Sequence, residues 1–333
     1  MKILIVNIMP AIGESLFFTP VFRIVKQAFP HAKVDALIAE DVRQICLYNP
    51  YIDKVISFDK RGRQAGLIEH LKMIRKIRET RYDLVINLNP SERASALAAF
   101  SGGKKVCGFA SKFLKRFFNP YLIKDRSVHC VDCYLKALRE LGISVPNSGD
   151  VKMEMEYDQQ SKLTAERIWL ENNLDDQTVV GIHPGGSSAG KCWKAEYLAE
   201  LSDMLQGDGL KTIFFGGPAE IGIVEKVVAL AKIKPVVLTG KLNLLELAAA
   251  IKKCSVFLSG DSGPMHIAVS QQVPVVALFG PTSVVRYGPY NCPHVVIQPA
   301  QNILANEDKE KLMEYITPEQ VYQGIYSLLK KPI

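Results

Sequence analysis

The segment SGDSGPMHIAVSQQVPVVALFGPT, residues 259–282, limits the fold more than any other part of the chain. An apolar run at 256–258 leads into Gly260-Asp261-Ser262-Gly263. A helical stretch follows from Pro264 to about residue 270, then a second buried-strand pattern at 273–279, closed by Gly280-Pro281-Thr282. Strand, polar turn, helix, strand and turn are the parts of a βαβ unit, which builds a parallel sheet. The polar turn falls at the carboxyl end of a strand and the amino end of a helix, where open α/β sheets bind ligands. Free N–H groups and a partial positive charge at that helix end suit a phosphate or a network of sugar hydroxyls.

The same alternation runs along the whole chain. In the first half, strands are expected at 3–7, 34–38, 55–58, 83–87 and 105–109, with helices at 15–29, 67–78, 92–100 and 130–141. Polarity rises around Pro146-Asn147-Ser148-Gly149, and a domain boundary is expected between there and Asn172. The pattern restarts with strands at 179–183, 212–215, 236–238, 256–258 and 275–279 and helices at 195–205, 221–231 and 244–252. Thr317-Pro318-Glu319 reads as an N-cap with proline in the first turn of a last helix, reaching about Lys330. The expected fold is α/β: two Rossmann-like doubly wound parallel-sheet domains, 1–160 and 161–333, facing a central cleft, with the last helix free to pack back on the first domain. No GxGxxG follows a strand, so the dinucleotide fingerprint of NAD enzymes is absent.

With 333 residues the chain exceeds what one core usually encloses, about 250–300 residues. No apolar run approaches the roughly 18 residues of a membrane span, and the opening MKILIVNIMPAIGES is a strand pattern without a cleavage site. A cytoplasmic protein is expected. Seven scattered cysteines do not make a disulfide framework, and Cys130-x-x-Cys133 beside His129 lacks further ligands at zinc spacing, so both are expected near a helix start. No metal-binding acid cluster and no cofactor motif is evident. Residues 1–150 hold 24 basic and 14 acidic side chains, net +10, while 151–333 hold 17 and 20, net −3. The first half is suited to an anionic ligand or surface, the second to a different task.

Four turns carry chemistry. After the first strand, Gly13-Glu14 stands at a strand-to-helix turn, where Glu14 is either a general base or an acid favouring the helix dipole. HPGGSSAGKCW, residues 183–193, offers glycines for close backbone approach and Ser187, Ser188 and Lys191 as phosphate ligands, without being a Walker A loop. Trp193 is expected to pack. In FFGGPAE, Glu220 is placed either to accept from both ribose hydroxyls or simply to open a helix. Thr239-Gly240-Lys241-Leu242 is a further strand-end turn. Two basic clusters lie in the first half, one including Lys60, Arg61 and Arg63, the other Lys104 to Arg126. In the second, KFLKRFF, with Lys112, Arg116 and the aromatics Phe113, Phe117 and Phe118, has the makings of a membrane-surface contact. No HTH, RRM or zinc-finger pattern accompanies the charge, so nucleic acid is not expected as a partner.

Asp261-Ser262-Gly263, Met265-His266-x-Ala268 and Phe279-Gly280-Pro281-Thr282 together resemble the signature of glycosyltransferase family 9, the bacterial heptosyltransferases. The resemblance extends over nearly the whole chain. It implies the GT-B architecture and inverting transfer from ADP-L-glycero-D-manno-heptose to the phosphorylated inner core of lipopolysaccharide. It implies Glu14 as the base, one methylene longer than the family's aspartate, and Lys191 as the group stabilising the leaving diphosphate. Gly13, Ser187, Ser188, Glu220, Asp261, Ser262, Gly263 and His266 would complete the nucleotide-sugar site, with Asp261 on the sugar hydroxyls and the turn 239–242 near the base. Lys60, Arg61, Arg63, Arg93, Lys112 and Arg116 would meet the acceptor, at the inner face of the cytoplasmic membrane. Asn7 stands where some relatives carry lysine. Another nucleotide sugar, such as a UDP-sugar for a transferase or epimerase, and a non-catalytic binding relative remain as alternatives.

Overall fold

Several strands are near-continuous apolar runs, the pattern of strands buried on both faces of a parallel sheet. In the computed structural model, which describes residues 1–186 and 188–330, every strand pairs in parallel. The chain divides into two compact units, Met1–Glu156 and Tyr157–Ile333.

The first unit contains β1 (Lys2–Asn7), β2 (Lys33–Ala39), β3 (Lys54–Phe58), β4 (Leu84–Asn87), β5 (Lys105–Phe109) and β6 (Tyr121–Leu122), in the order β3-β2-β1-β4-β5-β6. One face packs Leu4, Val6, Leu37 and Phe58 against Met73, Ile74 and Ile77 of helix Leu67–Thr80 and Leu97 of helix Glu92–Ala99. On the other, helices Thr19–Ala28 and Cys130–Glu140 bring Phe18, Phe22, Phe109 and Tyr134 into edge or tilted ring contact.

The second unit contains β7 (Val179–His183), β8 (Lys211–Phe214), β9 (Val236–Val237), β10 (Val256–Gly260), β11 (Val275–Leu278) and β12 (His294–Ile297), in the order β12-β11-β10-β7-β8-β9. Counted from its own first strand, this is the winding of the first unit repeated: third, second, first, fourth, fifth, sixth. Both are Rossmann-like doubly wound sheets, the plan of each half of a GT-B protein. Helix Pro318–Leu329 starts at Thr317, whose hydroxyl accepts the Gln320 N–H, and packs on β10, β11, β12 and helix Ala195–Gly207 of its own unit.

Several local expectations need correction. The stretch 15–29 is two helices, Ile12–Phe17 and Thr19–Ala28, because Pro20 has no N–H to continue the ladder and Thr19 Oγ1 instead donates to Leu16 O at 2.8 Å. Within the polar stretch before Asn172, Gln159–Glu171 is a helix, capped by Asp158, which accepts the Ser161 N–H at 2.8 Å. Strand β12 was not anticipated. Phe118 is no surface anchor: it is 5% exposed and belongs to the core of the first unit, whereas Phe113 is 79% exposed. Phe118→Ala should therefore cost about 3 kcal/mol of stability in urea unfolding, while Phe113→Ala should change it by less than about 0.5 kcal/mol.

Candidate functional site

In a sheet wound this way, the crossovers leave the first and fourth strands in opposite directions and open a crevice at their carboxyl ends. In the second unit those strands are β7 and β10. The turn after β7 holds Lys191, and the turn after β10 holds Asp261. Gly260 lets the two meet: a Cβ there would lie 2.8 Å from the Lys191 carbonyl oxygen, which is backbone and cannot swing aside. With Gly260 bare, Lys191 Nζ donates to Asp261 Oδ2 at 2.7 Å, and His266 Nε2 stands 3.8 Å from Asp261 Oδ1. Burial alone would raise the Asp261 pKa, but the hydrogen bonds and charges of His266 and Lys191 outweigh it and hold the carboxyl at about 2. Two residues beyond Lys191, buried Trp193 fastens the turn by donating Nε1–H to Ile316 O at 2.9 Å. Ser188 is exposed, and its carbonyl accepts the Lys191 N–H. Ser187 lies outside the described residues.

Ser262 is the N-cap of helix Gly263–Ser270, its hydroxyl accepting the Met265 N–H. The same hydroxyl lies 2.7 Å from Ser259 Oγ and 3.3 Å from His183 Nδ1. His183 and Ser259 were not singled out as site residues, yet they tie the end of β7 to the turn after β10. Burial pushes the His183 pKa down to about 4, so its ring is neutral near pH 7. In the sequence His183 opens the glycine turn and Ser259 precedes Gly260, but nothing in the spacing signals that the two meet.

Glu220 closes the neighbouring turn after β8, accepting the Gly217 N–H at 2.7 Å. A Cβ on Gly185 would meet the Glu220 side chain at 2.6 Å, so the carboxylate lies between the turns after β7 and β8. Beside it, Gly240 N–H donates to Gly216 O at 2.9 Å, and a mainly apolar pocket of about 330 Å³ is lined by Ile221, Val224, Glu225, Val228, Val237 and Thr239. Six predicted residues thus gather along adjacent strand ends of one sheet: Lys191, Glu220, Asp261, Ser262, Gly263 and His266.

The first unit's crevice lies beyond β1 and β4. Gly13 and Glu14 occupy the first turn of helix Ile12–Phe17, and Glu14 Oε2 is buried with no hydrogen-bond partner among the described residues. Tyr134 lies close by: burial, then the charge of Glu14, raises its pKa. Asn7, ending β1, accepts from Met9 N–H and Asn89 Nδ2 with Oδ1, joining the ends of β1 and β4. Arg93 donates to the Lys60 and Ala65 carbonyls at 2.6 and 3.1 Å, which fixes the exposed turn carrying Arg61 and Arg63 beside helix Glu92–Ala99. Burial, then the charges of Arg61 and Arg93, lowers the Lys60 pKa, so these three form one positive cluster. Lys112 and Arg116 are exposed on the loop after β5, with Arg116 over the Phe117 ring at 5.0 Å. Cys130 and Cys133 are buried at a helix start and are not joined in a disulfide. No group of three or more His, Cys, Asp or Glu side chains among the described residues is arranged to hold a metal ion.

The family model "Glycosyltransferase family 9 (heptosyltransferase)" matches residues 70–316. The chain is 29% identical to lipopolysaccharide heptosyltransferase 3 of Escherichia coli K12 over 289 residues, covering 84% of this chain and 82% of that protein. The crystal structure of a family 9 glycosyl transferase from Veillonella parvula superposes with a TM-score of 0.92 at 32% identity, covering 98% of this chain and 97% of that one. E. coli ADP-heptose lps heptosyltransferase II shares the fold at a TM-score of 0.82 and 21% identity, covering 99% and 98%.

The neutral His183 gives a pH signature. The unfolded chain binds a proton there as the pH falls through 6.5 and the folded chain only near 4, so acid favours unfolding in between, by up to about 3 kcal/mol. The stability that Asp261 contributes is fully present above its ordinary 3.8 and is lost as the pH falls through about 2, below this window. His183→Asn should flatten the decline in stability between pH 6.5 and 4, read by urea unfolding at each pH. Equal slopes in variant and parent would contradict a neutral ring.

Proposed function

The chain belongs to glycosyltransferase family 9, and from that premise we propose that it transfers heptose from ADP-L-glycero-D-manno-heptose to an anionic saccharide of the lipopolysaccharide inner core, with inversion. The observation that carries this reading is the convergence of Lys191, Asp261 and His266 on one crevice, Lys191 and Asp261 standing 70 positions apart in the chain. The similarity to lipopolysaccharide heptosyltransferase 3 of E. coli supports the choice of sugar and acceptor.

In this mechanism an acceptor hydroxyl oxygen attacks the anomeric carbon as the bond from that carbon to the diphosphate oxygen breaks. The hydroxyl proton passes to Glu14, and the electron pair leaves with the nucleoside diphosphate. Glu14 suits the role because Oε2 has no hydrogen-bond partner among the described residues, so a lone pair is available to take a proton. Lys191 offers its ammonium to the developing diphosphate charge, and the N–H groups at Ser262 and Gly263 add helix-end dipoles. Glu220 would accept from the ribose, and the apolar pocket beside Thr239 is suited to a base. Lys60, Arg61 and Arg93 supply a positive field for a phosphorylated acceptor.

Glu14→Gln keeps the side chain's length and removes the base. It should lower transfer at least about 100-fold while changing ADP-heptose affinity by less than about twofold, measured by product formation and calorimetric titration. Retained transfer, or loss of both in parallel, would remove Glu14 from the role.

Peripheral contact with the inner face of the cytoplasmic membrane is part of the same proposal. No helix among the described residues is long and apolar enough to cross a membrane. Leu67, Ile68 and Leu71 are nonetheless exposed together at the start of helix Leu67–Thr80, next to the cationic turn 60–65, and Phe113 is exposed between Lys112 and Lys115. Apolar side chains among cations are the composition that holds a protein on an anionic bilayer surface. Flotation with phosphatidylglycerol vesicles should recover the chain, and neutral vesicles should not. Ile68→Asp with Phe113→Asp should abolish recovery; equal recovery of the parent chain on neutral vesicles would argue against this surface.

A further inference from the structure

Resting on the reading of Lys191 as the diphosphate ligand, the surroundings of Asp261 point beyond sugar binding. Both of its carboxylate oxygens face side chains of its own unit that can carry positive charge, Lys191 at 2.7 Å and His266 at 3.8 Å. The ion pair is shielded, with 19% of the Lys191 side chain and 11% of the Asp261 side chain exposed, so its attraction is stronger than that of a surface pair. Gly260 and the Trp193 anchor fix the backbone of the Lys191 turn. A diphosphate reaching Lys191 therefore meets a cation that a carboxylate already neutralises, with that carboxylate's negative charge beside it.

This matters more for product than for substrate. While esterified to the sugar, the diphosphate lacks a terminal phosphate ionisation that it gains when the glycosidic bond breaks. On charge alone Lys191 would hold the product nucleotide more tightly than the substrate, and slow release would limit turnover. We propose that Asp261 is a counterweight at Lys191: it positions the ammonium for the diphosphate and draws it back once the sugar has left, so that the product nucleotide is weakly held and departs. Asp261 is in this respect a positioning residue acting through Lys191, and its effect on nucleotide affinity is opposite in sign to that of a ligand.

The test is calorimetric titration of ADP into the full chain at low ionic strength. Asp261→Asn, which removes the charge and keeps the shape, should bind ADP about tenfold more tightly than the parent, with the gain shrinking as salt is added. Asp261→Glu, which keeps the charge, should return the affinity to within about threefold of the parent. Lys191→Ala should weaken ADP binding at least about tenfold. Should Asp261→Asn fail to fold, Asp261→Ser carries the same expectation. Unchanged or weaker ADP binding in the neutral variants, or equal tightening by Asp261→Glu, would overturn the counterweight while leaving Lys191 as a ligand. Unchanged ADP affinity in Lys191→Ala would instead overturn the underlying reading of the turn.

Discussion

A strand that is to lie parallel to the one before it must be reached by a crossover, and most of this structure follows from that requirement. Each crossover leaves a turn at the carboxyl end of a strand, so every turn able to hold chemistry collects on one edge of its sheet. Because each sheet grows first in one direction from its first strand and then in the other, the turns part between the first and fourth strands. Glu14 follows β1, and Asn89 and Arg93 follow β4; Lys191 follows β7, and Asp261 follows β10. The chain contains the same winding twice, with the signs exchanged: an acid follows the first strand and a cation the fourth in the first unit, and the reverse holds in the second. No short sequence repeat announces this, because the winding depends on the order of the strands and not on the identity of any residue.

The same contrast explains what could be read in advance. Strands β1, β2, β7 and β10 are rich in Val, Ile, Leu and Phe, and that apolarity marks them directly. Helix Gln159–Glu171 is weakly patterned and was not anticipated; its one local mark, Asp158 capping the Ser161 N–H, is a short signal. Phe118 and Phe113 stand five residues apart in a cationic loop and look alike in composition, yet the turn of the loop after β5 sends one into the core and the other into solvent. Local composition does not encode that choice.

For the site, residue type was legible and partnership was not. The glycines at 185 and 186 read as close-approach positions and Gly260 only as part of a polar turn, but what approaches is visible only in three dimensions: the Glu220 side chain against Gly185, Lys191 against Gly186, and the Lys191 carbonyl against Gly260. Lys191 and Asp261 were each expected to face a ligand, and they face each other. His183 and Ser259 went unnoticed because their contacts are to side chains on a neighbouring strand end, at 3.3–3.4 Å, and no spacing in the sequence reports a register between β7 and β10.

Trp193 brings one further property to the turn after β7. It is one of only two tryptophans in the chain. The other, Trp169, lies on helix Gln159–Glu171 with the Lys253 ammonium 5.5 Å from its ring. Trp193 follows Lys191 by two residues, and its indole N–H is bound to a peptide carbonyl in a water-poor setting. Indole emission depends on just such a neighbouring dipole and on solvent access. The chain therefore carries a built-in fluorophore at the turn, able to report a rearrangement of Lys191 optically, without any attached label.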